Sequence, residues 1–260
     1  MHKIYKYIII LFFISMLIGA LLPSQYYNDM DILNRSASAS FNHLFGTDFL
    51  GRDVFFRIIR GSYNVGVIGI SSILISLPIG GFLALLMGRK KTNWRYVVSG
   101  GMDILFVFPK ILIALILVAI FGPSIQIAII SIGIFFTPVF YRVIYLSSRH
   151  VWQSDFVASA RLSGLSKYKI MFVHIIPNIH HIIFAQCAIQ FAIAIVSESG
   201  LGYLGLSVDG AEPTWGSMML DAQNSWFVNP YLIIPVGISM ILTTFSFIKY
   251  SERIKNDNNR

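Results

Sequence analysis

The chain has 260 residues, of which 55% are hydrophobic and only 12% charged, whereas an ordinary soluble domain is about a quarter charged. That balance excludes a soluble globular domain, because a core of this size cannot hide so much apolar surface, and the single Cys187 excludes a disulfide framework within the chain. The formal charge of +8 reads as basic loops between membrane spans rather than a nucleic-acid surface, since Lys and Arg are scattered among apolar runs.

A spanning helix needs about 20 mostly apolar residues. Taken in chain order, the apolar runs predict six spans at 4–22, 63–87, 96–121, 125–146, 171–197 and 227–250. The first follows Lys3 and overlaps Lys6 like a signal peptide, but it lacks a small-x-small cleavage pattern and is expected to be a retained anchor. Arg89, Lys90, Lys91 and Arg95 follow the second span, and Arg149, Arg161, Lys167 and Lys169 follow the fourth. The stretch 198–226 carries no Lys or Arg but holds Glu198, Asp209, Glu212 and Asp221. The positive-inside bias therefore puts both termini and the loop after the fourth span in the cytoplasm. One segment resists: 23–62 must lie outside, yet it contains Arg35, Arg52, Arg57 and Arg60, partly offset by Asp29, Asp31, Asp48 and Asp53. Pro78, Pro109, Pro138 and Pro235 fall inside predicted spans and are expected to kink them. Gly80, Gly81, Gly100, Gly101 and Gly133 are expected to bring helices close.

The loop after the fourth span reads "DFVASARLSGLSKYKIMFVHIIPN", residues 155–178. Ser154 or Asp155 can cap a helix start. Gly164 supplies a left-handed stop, and Ser166 offers a second cap. Tyr168, Met171 and Phe172 are expected to form the apolar face of a second helix, and Pro177 to kink it or mark entry into the bilayer. The segment thus predicts a helix–glycine turn–helix hairpin at the membrane surface. An interfacial helix resting on lipid is one reading; a docking element for a cytoplasmic partner is the other, favoured by the small residues Ala158, Ser159, Ala160, Ser163 and Gly164.

This stretch resembles the "EAA" loop of ABC importer permeases, a pattern of Glu-Ala-Ala, three residues, Gly and a downstream Pro. Here Ala158, Ser159, Ala160, Gly164 and Pro177 hold those positions, with Ala158 in place of the usual Glu and Ser159 in place of the first Ala. Three more stretches extend the resemblance to the C-type permeases of dipeptide, oligopeptide and nickel importers: "NHLFGTDFLGRDVFFRIIRGS" at 42–62, "DILFVFPKILIAL" at 103–115 and "SESGLGYLGLSVDGAEPTWGSMM" at 197–219. The tail, "FSFIKYSERIKN", departs from the family pattern.

The resemblance implies an all-α polytopic membrane protein, the transmembrane domain of a type I ABC importer. It divides into an anchor and outer segment at 1–62, a permease domain at 63–250 with its coupling loop at 155–170, and a tail at 251–260. It implies a multi-pass chain of the bacterial cell membrane. Its partners are a second related permease chain, two cytoplasmic ATPases that dock on Asp155, Ala158, Ser159, Ala160, Arg161, Gly164, His174 and Pro177, and an extracytoplasmic binding protein. Dipeptides, oligopeptides, nickel complexes and metal–opine chelates all fit, with the short chain and divergent tail leaning toward the metal side.

The remaining residues point away from catalysis in this chain. "GRKKT" at 88–92 lacks the glycine spacing that cradles phosphate, so ATP is expected on the partner subunits and no cofactor here. No zinc-protease or nucleophile-elbow pattern occurs. His174, His180 and His181 lack a neighbouring Cys or carboxylate in sequence and read as structural rather than metal ligands; His43, near Asp48 and Asp53, reads as part of a folded outer motif. Asp103 stands at or near membrane depth, where a charge is costly; it lines a path or orients the third helix at the rim. Glu198 is likewise a path residue or a structural polar group. A membrane-embedded enzyme and a passive channel remain the competing functional classes.

Overall fold

The computed structural model describes residues 4–88, 93–208 and 212–257. Lys3, which entered the reading of the first span, and Arg89, Lys90, Lys91 and Asp209, which entered the charge argument, lie outside them. The described chain is helical: α1 (Ile4–Leu21), α2 (Ser24–Asn28), α3 (Val54–Met87), α4 (Asn93–Val107), α5 (Lys110–Phe121), α6 (Ile125–Trp152), α7 (Asp155–Leu162), α8 (Lys167–Ile170), α9 (Ile176–Tyr203), α10 (Trp215–Asn224) and α11 (Ile233–Asp257). Its extended pairing, among the described residues, is one antiparallel bridge between Thr47 and Asp53.

Among these residues five helical rods are long and apolar enough to cross a membrane: α1, α3, α6, the run Lys167–Tyr203, and Pro230–Asn256. The predicted third span is not one helix. α4 and α5 meet at 84°, because Pro109 takes the extended N-cap position of α5 at ψ 123°, and a proline also drives the residue before it out of helical geometry. The pair still makes a complete crossing. Ser72 Oγ donates to the Ile129 carbonyl at 3.1 Å near the start of the contact between α3 and α6. Gly80 lies on the Thr137 backbone and Gly88 beside Ser148 and Trp152 further along, so the two helices run parallel. The chain between them must return to the far end, and α4–α5 is the segment that does so. With the bent pair counted as one span, the described residues make six crossings, alternating in direction. Tyr5 at the start of α1 accepts a 2.9 Å hydrogen bond from Arg253 near the end of α11, which puts the two terminal helices at one end.

Three spans are longer than their apolar runs suggest. α3 begins at Val54, nine residues before the predicted start, so the proposed division at residue 62 falls within a continuous helix. Asp53 caps it, accepting from Phe55 N at 2.8 Å and Phe56 N at 3.3 Å. Arg57 and Arg60 do not end the helix, because carboxylates meet both. α6 and α9 likewise run on to Trp152 and Tyr203.

Four hydroxyls inside the bundle are satisfied locally. Ser72, Ser76, Ser131 and Thr137 each donate to the carbonyl four residues back, at 2.7 to 2.9 Å, as hydroxyls in an apolar medium must. One buried cluster joins Ile68, Phe136, Phe140, Ile144, Val157 and Ile175 across α3, α6, α7 and the start of the fifth crossing. A second gathers Phe12, Phe191, Trp215 and Phe247. Gly80 and Gly133 serve the α3–α6 contact as expected; Gly100 and Gly101 face open space and serve no helix contact among the described residues. Large apolar side chains on α1, α4, α5 and α11 stay exposed, as lipid-facing surface does.

Candidate functional site

The hairpin forms at the end of the bundle where α1 starts and α11 ends. Ser154 occupies the N-cap position of α7, but its hydroxyl donates back to the Val151 carbonyl at 2.6 Å instead of capping. At the other end, Gly164 has φ +78°. Its amide donates to the Arg161 carbonyl at 3.0 Å, and the Leu165 amide donates to the Ala160 carbonyl at 3.2 Å. This is the paired closure of a Schellman turn, which requires a left-handed residue at the glycine position. Ser166 then caps α8, accepting from Lys169 N at 3.3 Å.

The hairpin has two faces. Val157 and Ala160 are buried in the main cluster with Leu165 packed against them. Asp155, Phe156, Ala158, Ser159, Arg161 and Leu162 are exposed, Leu162 almost completely. Ala160 is thus an anchor, and its side chain is not part of the outward surface expected for it. Arg161 is held from behind: its guanidinium lies 5.3 Å from the Trp152 ring centroid and donates to the Trp152 carbonyl at 3.3 Å. Ile170, Met171 and Ile175 are buried, whereas Tyr168 and Phe172 point outward, so the apolar face of the second arm differs from the expected one. Met171–Ile175 is a π turn, in which Ile176 N donates to Met171 O. It stands directly before Pro177, whose missing N–H interrupts the regular ladder. The rod nevertheless continues through to Tyr203. His174 is half-buried, its ring 6.2 Å from that of Phe156.

The opposite end is locked by ion pairs that account for the arginines at odds with the charge rule. Arg52 meets Asp48 at 2.6 Å and Asp221 at 2.8 Å, and Arg57 meets Asp221 at 3.2 Å. Arg60 pairs with Glu212 at 2.9 Å, and Asn64 donates to the same carboxylate at 3.0 Å. Tyr27 donates to its other oxygen at 3.2 Å. Burial alone would raise Glu212, but the hydrogen bonds from Arg60 and Asn64 hold it below the usual carboxylate value. Burial raises Asp221 in spite of Arg57 and Arg52. Both carboxylates come from the acidic stretch between the last two spans, so three of the four troublesome arginines are neutralised across 150 residues or more. Arg35 stays exposed. His43 joins this region through a 2.8 Å contact with Asp53.

Asp103 and Glu198 are not brought together. Asp103 is exposed on α4 and lines a pocket of about 170 Å³ with Ser99, Tyr141, Arg142 and Tyr145. Glu198 is fully buried near the end of α9, where Ser207 Oγ donates to Oε1 at 2.9 Å. Thr214 and the Gly216 amide lie near the carboxylate, and Oε2 makes no hydrogen bond of ordinary geometry. Glu198 thus ties the end of α9 to the following turn. Beside it, Gly202 and Gly216 let α9 and α10 touch backbone to backbone. A cavity of about 200 Å³ lies between α5, α6 and α9, with Lys110, Ser131, Phe135, Ser197 and Gly200 among its lining residues. Sequence reasoning passed over Lys110. The available signal was a lone cation directly after Phe-Pro in a run otherwise free of charge.

Among the described residues no cluster of three or more His, Cys, Asp or Glu has metal-binding geometry. Residues 76–251 match the family of binding-protein-dependent transport system inner membrane components. The chain is 33% identical over 240 residues to a dipeptide transport system permease protein, DppC, of Alkalihalophilus pseudofirmus, covering 92% of this chain and 79% of that one. It is 31% identical over 243 residues to the glutathione transport system permease protein GsiD of Pectobacterium atrosepticum, covering 90% and 80% respectively. In fold it matches a chain from inward-facing conformations of the MetNI methionine ABC transporter, with a TM-score of 0.67 at 14% identity, over 79% of this chain and 98% of that one.

Proposed function

This chain belongs to the family of binding-protein-dependent transport system inner membrane components, and we propose that it couples a separate ATPase to the uptake of short peptides. It is a multi-pass membrane permease of the ABC importer class. In the proposed arrangement it pairs with a second permease chain, two cytoplasmic ATPases and an extracytoplasmic binding protein. Both termini and the hairpin lie in the cytoplasm of a bacterial cell, and the ion-paired end faces outward. ATP is bound and hydrolysed on the partners.

One observation carries this reading. The hairpin presents an exposed face of Asp155, Phe156, Ala158, Ser159, Arg161 and Leu162 while Val157 is rooted in the cluster that joins α3 and α6. A close-packed cluster resists deformation, so a push on the exposed face moves the ends of these crossings as a body. Closure of the ATPases would thereby switch access from one side of the membrane to the other, and the loaded binding protein would release its cargo at the ion-paired end. The absent Glu at Ala158 leaves Asp155 and Arg161 as the charges able to contact the motor on α7.

The cargoes of the relatives, dipeptide and glutathione, support short peptides over metal chelates. The test is uptake of labelled dipeptide, glutathione and chelated nickel by cells with and without this chain, and with and without its ATPase partners. Peptide uptake that requires both supports the proposal. Uptake that persists without the ATPase favours a passive channel, and uptake of nickel alone reassigns the cargo.

A further inference from the structure

Lys110 stands at the 84° break between α4 and α5, midway through a crossing. Its ammonium lies 4.1 Å from the Phe135 ring centroid, at the wall of the 200 Å³ cavity. Among the described residues no carboxylate lines that cavity; the other polar side chains there are the hydroxyls of Ser131 and Ser197. A cation at membrane depth is costly, and it persists where it meets a partner or a ligand. The break adds a second attraction of the same sign. α5 starts at Lys110, so the amides of Lys110 and Ile111 precede the first intrahelical bond, which Leu112 N makes to the Pro109 carbonyl at 3.0 Å. The N-terminal end of a half-helix inside a membrane is an electropositive site for anionic groups.

Resting on the proposed transport of short peptides, we infer that Lys110 and the start of α5 receive the terminal carboxylate of the cargo as it crosses. The apolar wall of Ile111, Ala114 and Ile132 accepts the side chain next to it. Dipeptides and glutathione both carry such a carboxylate, so one cation serves cargoes that differ elsewhere. The Phe135 ring holds the ammonium in place between passages and competes weakly with a carboxylate.

The test uses the complete transporter in membrane vesicles. Initial ATP-driven uptake is measured for a free-acid dipeptide and its C-terminal amide with the wild-type chain, Lys110→Met and Lys110→Arg. The inference expects Lys110→Met to slow the free acid about tenfold or more, to leave the amide within about twofold, and Lys110→Arg to retain most free-acid uptake. Equal loss of both peptides would make Lys110 a structural or partner-subunit contact and overturn the inference, as would no change in either. Where the wild type does not carry the amide, Lys110→Cys in a Cys187→Ser background gives the second readout. The free-acid peptide should slow labelling of the introduced thiol by a cationic reagent, and unchanged labelling overturns the inference. If wild-type vesicles show no ATP-driven peptide uptake at all, the transport reading fails, and this inference with it.

Discussion

Replacing Gly164 tests whether the hairpin is a rigid lever. Its φ of +78° lies where an L side chain is strained, although a Cβ there would meet nothing within 4 Å. Any effect of Ala is therefore conformational and not steric. A left-handed Ala costs roughly 1–2 kcal/mol, which corresponds to about a 5–30-fold fall in the population of the closed turn where the turn is marginal. Asn tolerates this conformation and should cost less. Proline holds φ near −65°, roughly 140° away. It also removes the 3.0 Å bond from the Gly164 amide to the Arg161 carbonyl, worth about 1 kcal/mol. The assay is retention of the ATPase subunits on the solubilised chain together with ATP-driven uptake in vesicles. The expected order is Gly, Asn, Ala, Pro, falling, with membrane insertion constant. Equal activity for Gly164→Asn and Gly164→Ala, or normal coupling by Gly164→Pro, would refute the lever.

Arg57→Met should lower the thermal midpoint of the solubilised protein, because Asp221 and Asp48 lose one of two arginines and keep only Arg52, at about 1–3 kcal/mol; adding Asp221→Leu should recover part of that loss in the same melting experiment. Gly216→Ala puts a Cβ against the Ser199 carbonyl and 2.7 Å from the Ser199 Cα. It should part α9 from α10 at a cost of about 1–3 kcal/mol, visible as faster proteolysis of the 204–214 connection. The Glu212 tie should respond to acid. Its folded pKa lies below the ordinary 4.5, so its stabilisation is complete above that pH and is lost as pH falls through the folded value. Arg60→Gln should remove most of this acid-dependent component from a pH series of melting curves.

The sequence determined the class of the molecule. Runs of about 20 apolar residues have one stable solution in lipid, helices that satisfy their own backbone, and the rods containing α1, α3, α6, α9 and α11 follow from that rule. The hairpin was legible for a similar local reason: Gly164 and Ser166 act through backbone geometry within five residues of themselves. Span ends were less legible, because a charge ends a span only if nothing neutralises it. Arg57 and Arg60 continue α3 because Asp221 and Glu212 arrive from more than 150 residues away, which no local window contains. The same limit hid the roles of polar groups at membrane depth. Glu198 and Lys110 look alike as isolated charges in apolar runs. Packing closes Ser207 over Glu198 and leaves Lys110 at a cavity between three helices. Which charge is sealed and which is offered depends on how helices distant in sequence come to lie side by side, and that was decided only when the bundle assembled.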